Sequence, residues 1–144
     1  MSETGADAAL IYVVDDDTAV RDALVELFRV EGFRVEAFQN GAEYISRAQA
    51  EPACTLLDVH MPGRSGLDIL KLLNAATCPG PIFIMSGQGD IPMAVRAIKE
   101  GAFDFFERPF DADQVIGRVR EAIGSRQSRD EAAAALVADF PGSD

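Results

Sequence analysis

Apolar residues recur along the chain in two rhythms. Five short segments, 11–14, 33–38, 53–57, 82–85 and 102–106, are dense in them. The third and fourth are almost continuously apolar, as strands covered on both faces of a parallel sheet should be. "FRVEAF" at 33–38 alternates instead and suits an edge strand. Between these segments the spacing changes to that of helices. Val20, Leu24, Leu27 and Phe28 make one stripe, Ile91, Ala94, Val95 and Ile98 a second, and Val115, Val119, Ala122 and Ile123 a third. Asn40 with Glu43 and Ser65 with Asp68 have capping-box spacing. Asp90 before Ile91 and Pro92 looks like an N-cap with proline in the first turn, and Gly101 stands where that helix should stop. Asp17 is expected as a cap or first-turn charge. The pattern is βαβαβαβαβα, which implies a parallel sheet with helices on both faces.

A chain of 144 residues suggests one domain with a substantial core. The stretch "RQSRDEAAAALVADFPGSD", from Arg126, departs from the pattern and reads as a linker, helical at 132–137. The expected division is a flexible 1–8, a domain at 9–125 and a tail at 126–144, a composition suited to leading into a further, output domain. The formal net charge of −11 argues against nucleic acid binding by this segment, because neutralising phosphates takes Lys and Arg, and against an anionic membrane surface. "MSETGADAAL" has neither a basic region nor a long apolar run, so no signal peptide or membrane span is expected and a cytoplasmic location is. Cys54 in its apolar run reads as a buried small hydrophobe and Cys78, beside Pro79, as a loop thiol; two cysteines make neither a disulfide framework nor a zinc site.

The chemistry sits where the strands end. In open α/β sheets, ligands bind outside the carboxyl ends of the strands. The first apolar run meets Asp15, Asp16 and Asp17; the third meets Asp58 in "TLLDVHMPGRSG"; the fourth meets Ser86 in "FIMSGQGD"; the fifth meets Arg108 in "FFERPF". Two carboxylates ~4 Å apart repel by roughly 4 kcal/mol at an effective dielectric of ~20. A hard divalent cation with oxygen ligands offsets that repulsion, and Mg²⁺ suits a few carboxylates completed by water and substrate phosphate. Ser86 and Arg108 add a donor and a cation for an incoming anion. That is equipment for phosphoryl transfer, in which a carboxylate can itself be the nucleophile.

Together, "VVDDD", "LLDVHMPGRSG", "MSGQGD" and "ERPF", in that order over residues 9–124, resemble the receiver domain of two-component response regulators. "GQGDIPMAVRAIKEGAFDFFERPF" looks especially like the FixJ-type and related transcriptional regulators. The resemblance implies a flavodoxin-like, doubly wound (βα)5 fold with strand order 2-1-3-4-5. It implies Asp58 as the phosphoacceptor, with Mg²⁺ held by Asp15, Asp16, Asp58 and the backbone carbonyl of His60. It implies Ser86 and Phe105 as switch residues, Arg108 as the catalytic cation and a cis peptide bond before Pro109. The implied partners are a sensor histidine kinase and, on phosphorylation, a second copy bound through the fourth helix, fifth strand and fifth helix. DNA is reached only through a further C-terminal domain. Such a domain is no enzyme in the usual sense, since it catalyses only its own phosphorylation and dephosphorylation. Arg108 departs from the pattern, which has lysine there: the charge is kept and the head-group shape is not.

Other readings of these residues are blander or fail. The side chain of His60, the only histidine, reads as a solvated loop group, and Met61, Pro62 and Gly63 as a turn. Phe103, Phe106 and Phe110 read as packing. A haloacid-dehalogenase-type phosphatase needs a second aspartate two residues after the nucleophile, where His60 stands. A flavodoxin needs a loop that welcomes phosphate after the first strand, where "DDDT" repels it. The remaining alternative is a receiver-like interaction module whose output ignores phosphorylation, and Arg108 is its support.

Overall fold

The computed structural model describes residues 8–61, 65–76, 80–87 and 89–139, with the side chains of all but 73–76 and 126–139. The expected N-terminal segment before residue 8, Pro62 and Gly63 of the expected turn, Cys78 with Pro79, and residues 140–144 lie outside the described residues. Five strands, β1 Leu10–Val14, β2 Arg34–Phe38, β3 Cys54–Asp58, β4 Ile82–Ser86 and β5 Asp104–Glu107, alternate with five helices, α1 Thr18–Val30, α2 Gly41–Arg47, α3 Gly66–Ala76, α4 Ile91–Lys99 and α5 Ala112–Asp139. All strand pairs are parallel and the order is β2-β1-β3-β4-β5. The order reverses at β1, whose neighbours are β2 and β3, so a crevice opens beyond the carboxyl ends of β1 and β3.

Alternation along each strand divides the core in two. Leu10, Tyr12, Val14, Leu57, Ile82 and Ile84 pack with Tyr44 of α2, Leu67, Ile69 and Leu70 of α3 and Ala97 of α4. Ile11, Val13, Cys54, Leu56, Phe83 and Met85 pack with Leu24 and Phe28 of α1 and Val115, Val119 and Ala122 of α5. The continuous apolar runs of β1, β3 and β4 are thus buried on both faces, while Arg34 and Glu36 of the edge strand β2 are exposed. Tyr12, Phe38 and Tyr44 meet edge to face at 5.3–5.6 Å, and the Tyr12 hydroxyl donates to the Ala50 carbonyl at 2.6 Å.

The caps form with one exception. Asp17 accepts from the backbone N–H groups of Ala19 and Val20, Asn40 from that of Glu43, and Ser65 and Asp68 reciprocate. Asp90 precedes α4 but makes no side-chain cap bond; its carboxylate pairs with His60 instead. Helix α4 also corrects its expected stripe. Ala94 and Ala97 are buried, while Ile91, Val95 and Ile98 are exposed. Small alanines let α4 lie close to the sheet, and the larger residues are turned outward. Helix α5 passes residue 126, where the sequence reading begins a linker, and continues to Asp139, so the helix expected at 132–137 is part of it. The alanine-rich stretch has high helix propensity and no proline before Pro141 to stop it.

Candidate functional site

Asp15, Asp16, Asp58, Ser86 and Arg108, read from the ends of the first, third, fourth and fifth strands, come to one edge of the sheet. Asp15 follows β1 and is fully buried. Its backbone N–H donates to the Phe38 carbonyl at 3.1 Å, and its own carbonyl accepts from Arg21 Nη1 at 2.7 Å. Its Oδ1 accepts from the Asp17 N–H at 2.9 Å and its Oδ2 from Arg108 Nη2 at 3.1 Å. Because Asp17 caps α1, the turn carrying Asp15 and Asp16 is fixed from the helix side. Asp16 is exposed.

Asp58 ends β3 with its side chain 2% exposed. The His60 N–H donates to its Oδ1 at 3.2 Å, and Arg108 Nη2 lies 3.3 Å from the same oxygen. Burial raises the Asp58 pKa to about 7, with the Asp15 charge adding to the rise and the His60 N–H and Arg108 opposing it. Burial acts to lower the Arg108 pKa, but attraction to Asp58 and Asp15 outweighs it and the pKa stands above its ordinary value.

One carboxylate oxygen from each of Asp15, Asp16 and Asp58 can be chosen so that all three lie within 4.8 Å of one another. At the ~2.1 Å bond length of Mg²⁺, oxygens opposite each other on an octahedron stand about 4.2 Å apart and adjacent ones about 3 Å, so these three would close inward to hold such an ion. The donors are all hard oxygens, which suits Mg²⁺ and not a soft metal.

Ser86 ends β4, fully buried, and its Oγ has no hydrogen-bond partner among the described residues. Arg108 follows β5, its backbone N–H held by the Ser86 carbonyl at 3.0 Å and its bond to Pro109 cis. The guanidinium lies over the Phe110 ring at 5.9 Å, and its buried Nε has no partner among the described residues. Phe105 pairs in register with Ile84, two residues before Ser86, so the two side chains share a face of the sheet. It is half-buried against the core cluster containing Ile84 and Ala97. Phe106 is buried and stacks on Phe83 at 4.9 Å, whereas Phe103 is exposed. The His60 side chain is exposed but not simply solvated: Nε2 lies 3.1 Å from Asp90 Oδ2 and ties the loop after β3 to the start of α4.

Three contributors escaped the sequence reading. Gly66 opens α3 against the end of β3, where an added Cβ would stand 2.7 Å from Val59 Cα and closer still to the Asp58 carbonyl oxygen. Its place eight residues after Asp58 in "LLDVHMPGRSG" is the signal that could have found it. Arg21 holds the Asp15 carbonyl, and Glu107 Oε2 accepts from the Gly89 N–H at 2.7 Å, joining β5 to the loop before α4. An arginine or glutamate one turn or one residue from a site has no distinguishing pattern in sequence.

Residues 11–120 match the family described as response regulator receiver domain. The response regulator protein TmoT of Ectopseudomonas mendocina is 45% identical over 116 residues, covering 80% of this chain and 53% of that protein. The transcriptional regulatory protein FixJ of Bradyrhizobium diazoefficiens is 41% identical over 129 residues, covering 89% of this chain and 62% of that protein. This chain therefore spans about half to three-fifths of the length of these relatives. Among solved structures, full-length FixJ from B. japonicum superposes with a TM-score of 0.79 at 39% identity, covering 90% of this chain and 66% of that one. A response regulator receiver domain protein from Clostridium thermocellum superposes at 0.75 with 27% identity, covering 83% of this chain and 97% of that one.

Proposed function

The chain belongs to the response regulator receiver domain family of two-component signalling, and from that premise we propose that it accepts a phosphoryl group on Asp58 and passes the change to an output. The observation that carries this reading is the buried Asp58 carboxylate at the end of β3, next to Asp15 and Asp16 on one side and Arg108 on the other. Both N–H donors near Asp58 go to Oδ1, which leaves Oδ2 without an N–H donor among the described residues and the better nucleophile. Oδ2 attacks the phosphorus of a kinase phosphohistidine. The N–P bond breaks with its electron pair left on the imidazole nitrogen, and the product is an acyl phosphate. Asp15, Asp16, Asp58 and the His60 carbonyl would hold Mg²⁺, which supplies neutralisation of the charge on the transferring group. Arg108 supplies a fixed positive charge beside the same group.

The switch follows from an unsatisfied group. The Ser86 hydroxyl has no partner among the described residues, and phosphoryl oxygens on Asp58 offer it one. Phe105, on the same face, fills the space this movement opens. The change reaches α4, β5 and α5, and on α4 Ile91, Val95 and Ile98, at i, i+4 and i+7, form an exposed apolar strip suited to a second copy. By analogy with the transcriptional relatives, the output is transcription through a domain after the receiver at 9–125, DNA contact belongs to that domain, and the location is cytoplasmic. Among the described residues, no helix is long and apolar enough to cross a membrane. The alternative, an interaction module indifferent to phosphorylation, draws on Arg108 already bridging Asp15 and Asp58. Treatment with a small phosphodonor and Mg²⁺, followed by hydroxylamine and peptide mass mapping, tests the proposal. Asp58 should carry the hydroxamate left by an acyl phosphate; a hydroxamate at another residue, or none, contradicts it.

A further inference from the structure

Asp17, Asn40, Ser65 and Asp111 each accept from a first-turn N–H of the helix they precede; Asp90, placed the same way before α4, does not. Its backbone stands at φ −86° and ψ 59°, away from the extended φ −85° and ψ 113° of Asp17, and its Oδ2 lies 3.1 Å from His60 Nε2. Pro92 has no N–H, so the Met93 N–H is the donor a cap on α4 would take. The turn presenting Asp90 is held by the Gly89 N–H donating to Glu107 Oε2 at 2.7 Å and the Asp90 N–H donating to the Gly87 carbonyl at 3.3 Å. Both ends of the His60–Asp90 contact lead into the site: the His60 N–H donates to Asp58 Oδ1, and Asp90 follows Ser86 by four residues. Helix α4 is lightly anchored, since it buries Ala94 and Ala97 and leaves Ile91, Val95 and Ile98 exposed, and alanine methyls remove little apolar surface from water.

Resting on the phosphorylation reading above, we infer that the Asp90 carboxylate has two positions, paired with His60 in the unphosphorylated protein and capping α4 once His60 lets go, and that this exchange is a latch on α4. A half-exposed pair and an N-cap are of comparable worth, so a local change decides between them. Phosphorylation supplies that change at both ends. An acyl phosphate on Asp58 alters the acceptor of the His60 N–H, and movement of Ser86 shifts the turn that carries Asp90. Release unties α4 from the loop after β3 and gives its first turn the acceptor it lacks. Until then the pair restrains the helix that carries the exposed apolar strip and holds back association.

The first test needs neither phosphoryl group nor metal. Amide hydrogen exchange is followed by NMR in chelator at one fixed pH for wild type, His60→Ala, Asp90→Ser and Asp90→Ala. Met93 should exchange several-fold more slowly in His60→Ala, where Asp90 is free to cap, and in Asp90→Ser, whose shorter hydroxyl can cap but falls short of His60. Wild type should stay close to Asp90→Ala. Equal Met93 rates in wild type and His60→Ala overturn the exchange, whether or not Asp58 is a phosphoacceptor. The second test follows association by analytical ultracentrifugation after acetyl phosphate and Mg²⁺, at phosphorylated fractions matched by intact mass. His60→Ala and Asp90→Ser should associate at several-fold lower protein concentration than wild type, and Asp90→Ala, which loses latch and cap together, should gain less. Unchanged or weaker association of His60→Ala overturns the latch. A wild type that takes up no phosphoryl group overturns the reading above and the latch with it, while the Met93 rates still decide where Asp90 sits.

Discussion

Replacing Asp58 by asparagine should stabilise the metal-free protein above neutral pH and do little below about pH 4. The Asp58 and Asp15 side chains are 2% and 0% exposed, and each lies within 4.8 Å of the other through a carboxylate oxygen. At an effective dielectric of ~20, two charges at that separation repel by roughly 3.5 kcal/mol. Burial is the larger cause of the raised Asp58 pKa, this repulsion adds to it, the His60 N–H and Arg108 at 3.3 Å offset part of both, and the outcome is about 7 instead of 3.8. Since the folded pKa is raised, its contribution to stability is fully present below the unfolded pKa, near 4. It falls as pH rises between the two values, because the folded form keeps a proton that the unfolded form has released. The slope is at most about 1.4 kcal/mol per pH unit, roughly 4 kcal/mol over the whole window. For a chain of this size a change of that order moves Tm by on the order of 10 °C. Thermal melts of wild type and Asp58→Asn in chelator, from about pH 4 to 9, isolate the effect, because other groups cancel in the difference. The wild type should lose stability relative to the variant between pH 4 and 7 and then run parallel to it. A difference that does not vary with pH, or a variant less stable than wild type at pH 8, would refute the reasoning. Saturating Mg²⁺ should stabilise the wild type more at pH 8 than at pH 5, since proton and metal compete for the carboxylates.

Other consequences are smaller and equally direct. Gly66→Ala should cost 1–3 kcal/mol or more, as overpacking does, because its Cβ meets backbone at the end of β3; a change under about 0.5 kcal/mol in urea unfolding contradicts the close approach. Asp17→Ala should cost about 1 kcal/mol through loss of the α1 cap, and it should weaken Mg²⁺ binding if the turn holding Asp15 loosens with it. Ser86→Ala should leave the unphosphorylated protein as stable or slightly more so, since the buried hydroxyl has no partner among the described residues, while reducing the dimerisation induced by phosphorylation; a loss of several kcal/mol in denaturant contradicts the first part. Val95→Glu should suppress phosphorylation-dependent association in analytical ultracentrifugation with little effect on folding, because Val95 lies on the exposed strip of α4.

The sheet was legible because its signal is redundant. β1 is apolar at every position, β3 at all but its second and last and β4 at all but its last, and each ends in or is followed at once by a residue that chemistry explains, so run length, composition and strand-end polarity agree. Asp15, Asp16, Asp58, Ser86 and Arg108 could be drawn together from the order of elements alone, since parallel strands place all their carboxyl ends at one edge. Helix α4 was harder. A stripe of isoleucine and valine says that a face is apolar, not whether the sheet or a partner covers it, and the two alanines that decide the matter carry little hydrophobic weight. The continuation of α5 past residue 126 was missed for a related reason: charge and alanine describe an exposed helix as well as a linker. Contacts set by distance and not by pattern, such as Glu107 with Gly89 and His60 with Asp90, have no sequence signal strong enough to single them out.

The central claim is that Asp58 is the phosphoacceptor and that the acidic cluster makes it one. Intact-mass spectrometry after incubation with acetyl phosphate tests it most directly, with and without Mg²⁺, on wild type, Asp58→Asn and Asp16→Asn. One added phosphoryl group is expected on the wild type only when Mg²⁺ is present, none on Asp58→Asn, and strongly slowed addition on Asp16→Asn. Undiminished labelling of Asp58→Asn, or labelling of the wild type that is indifferent to the metal, would contradict it.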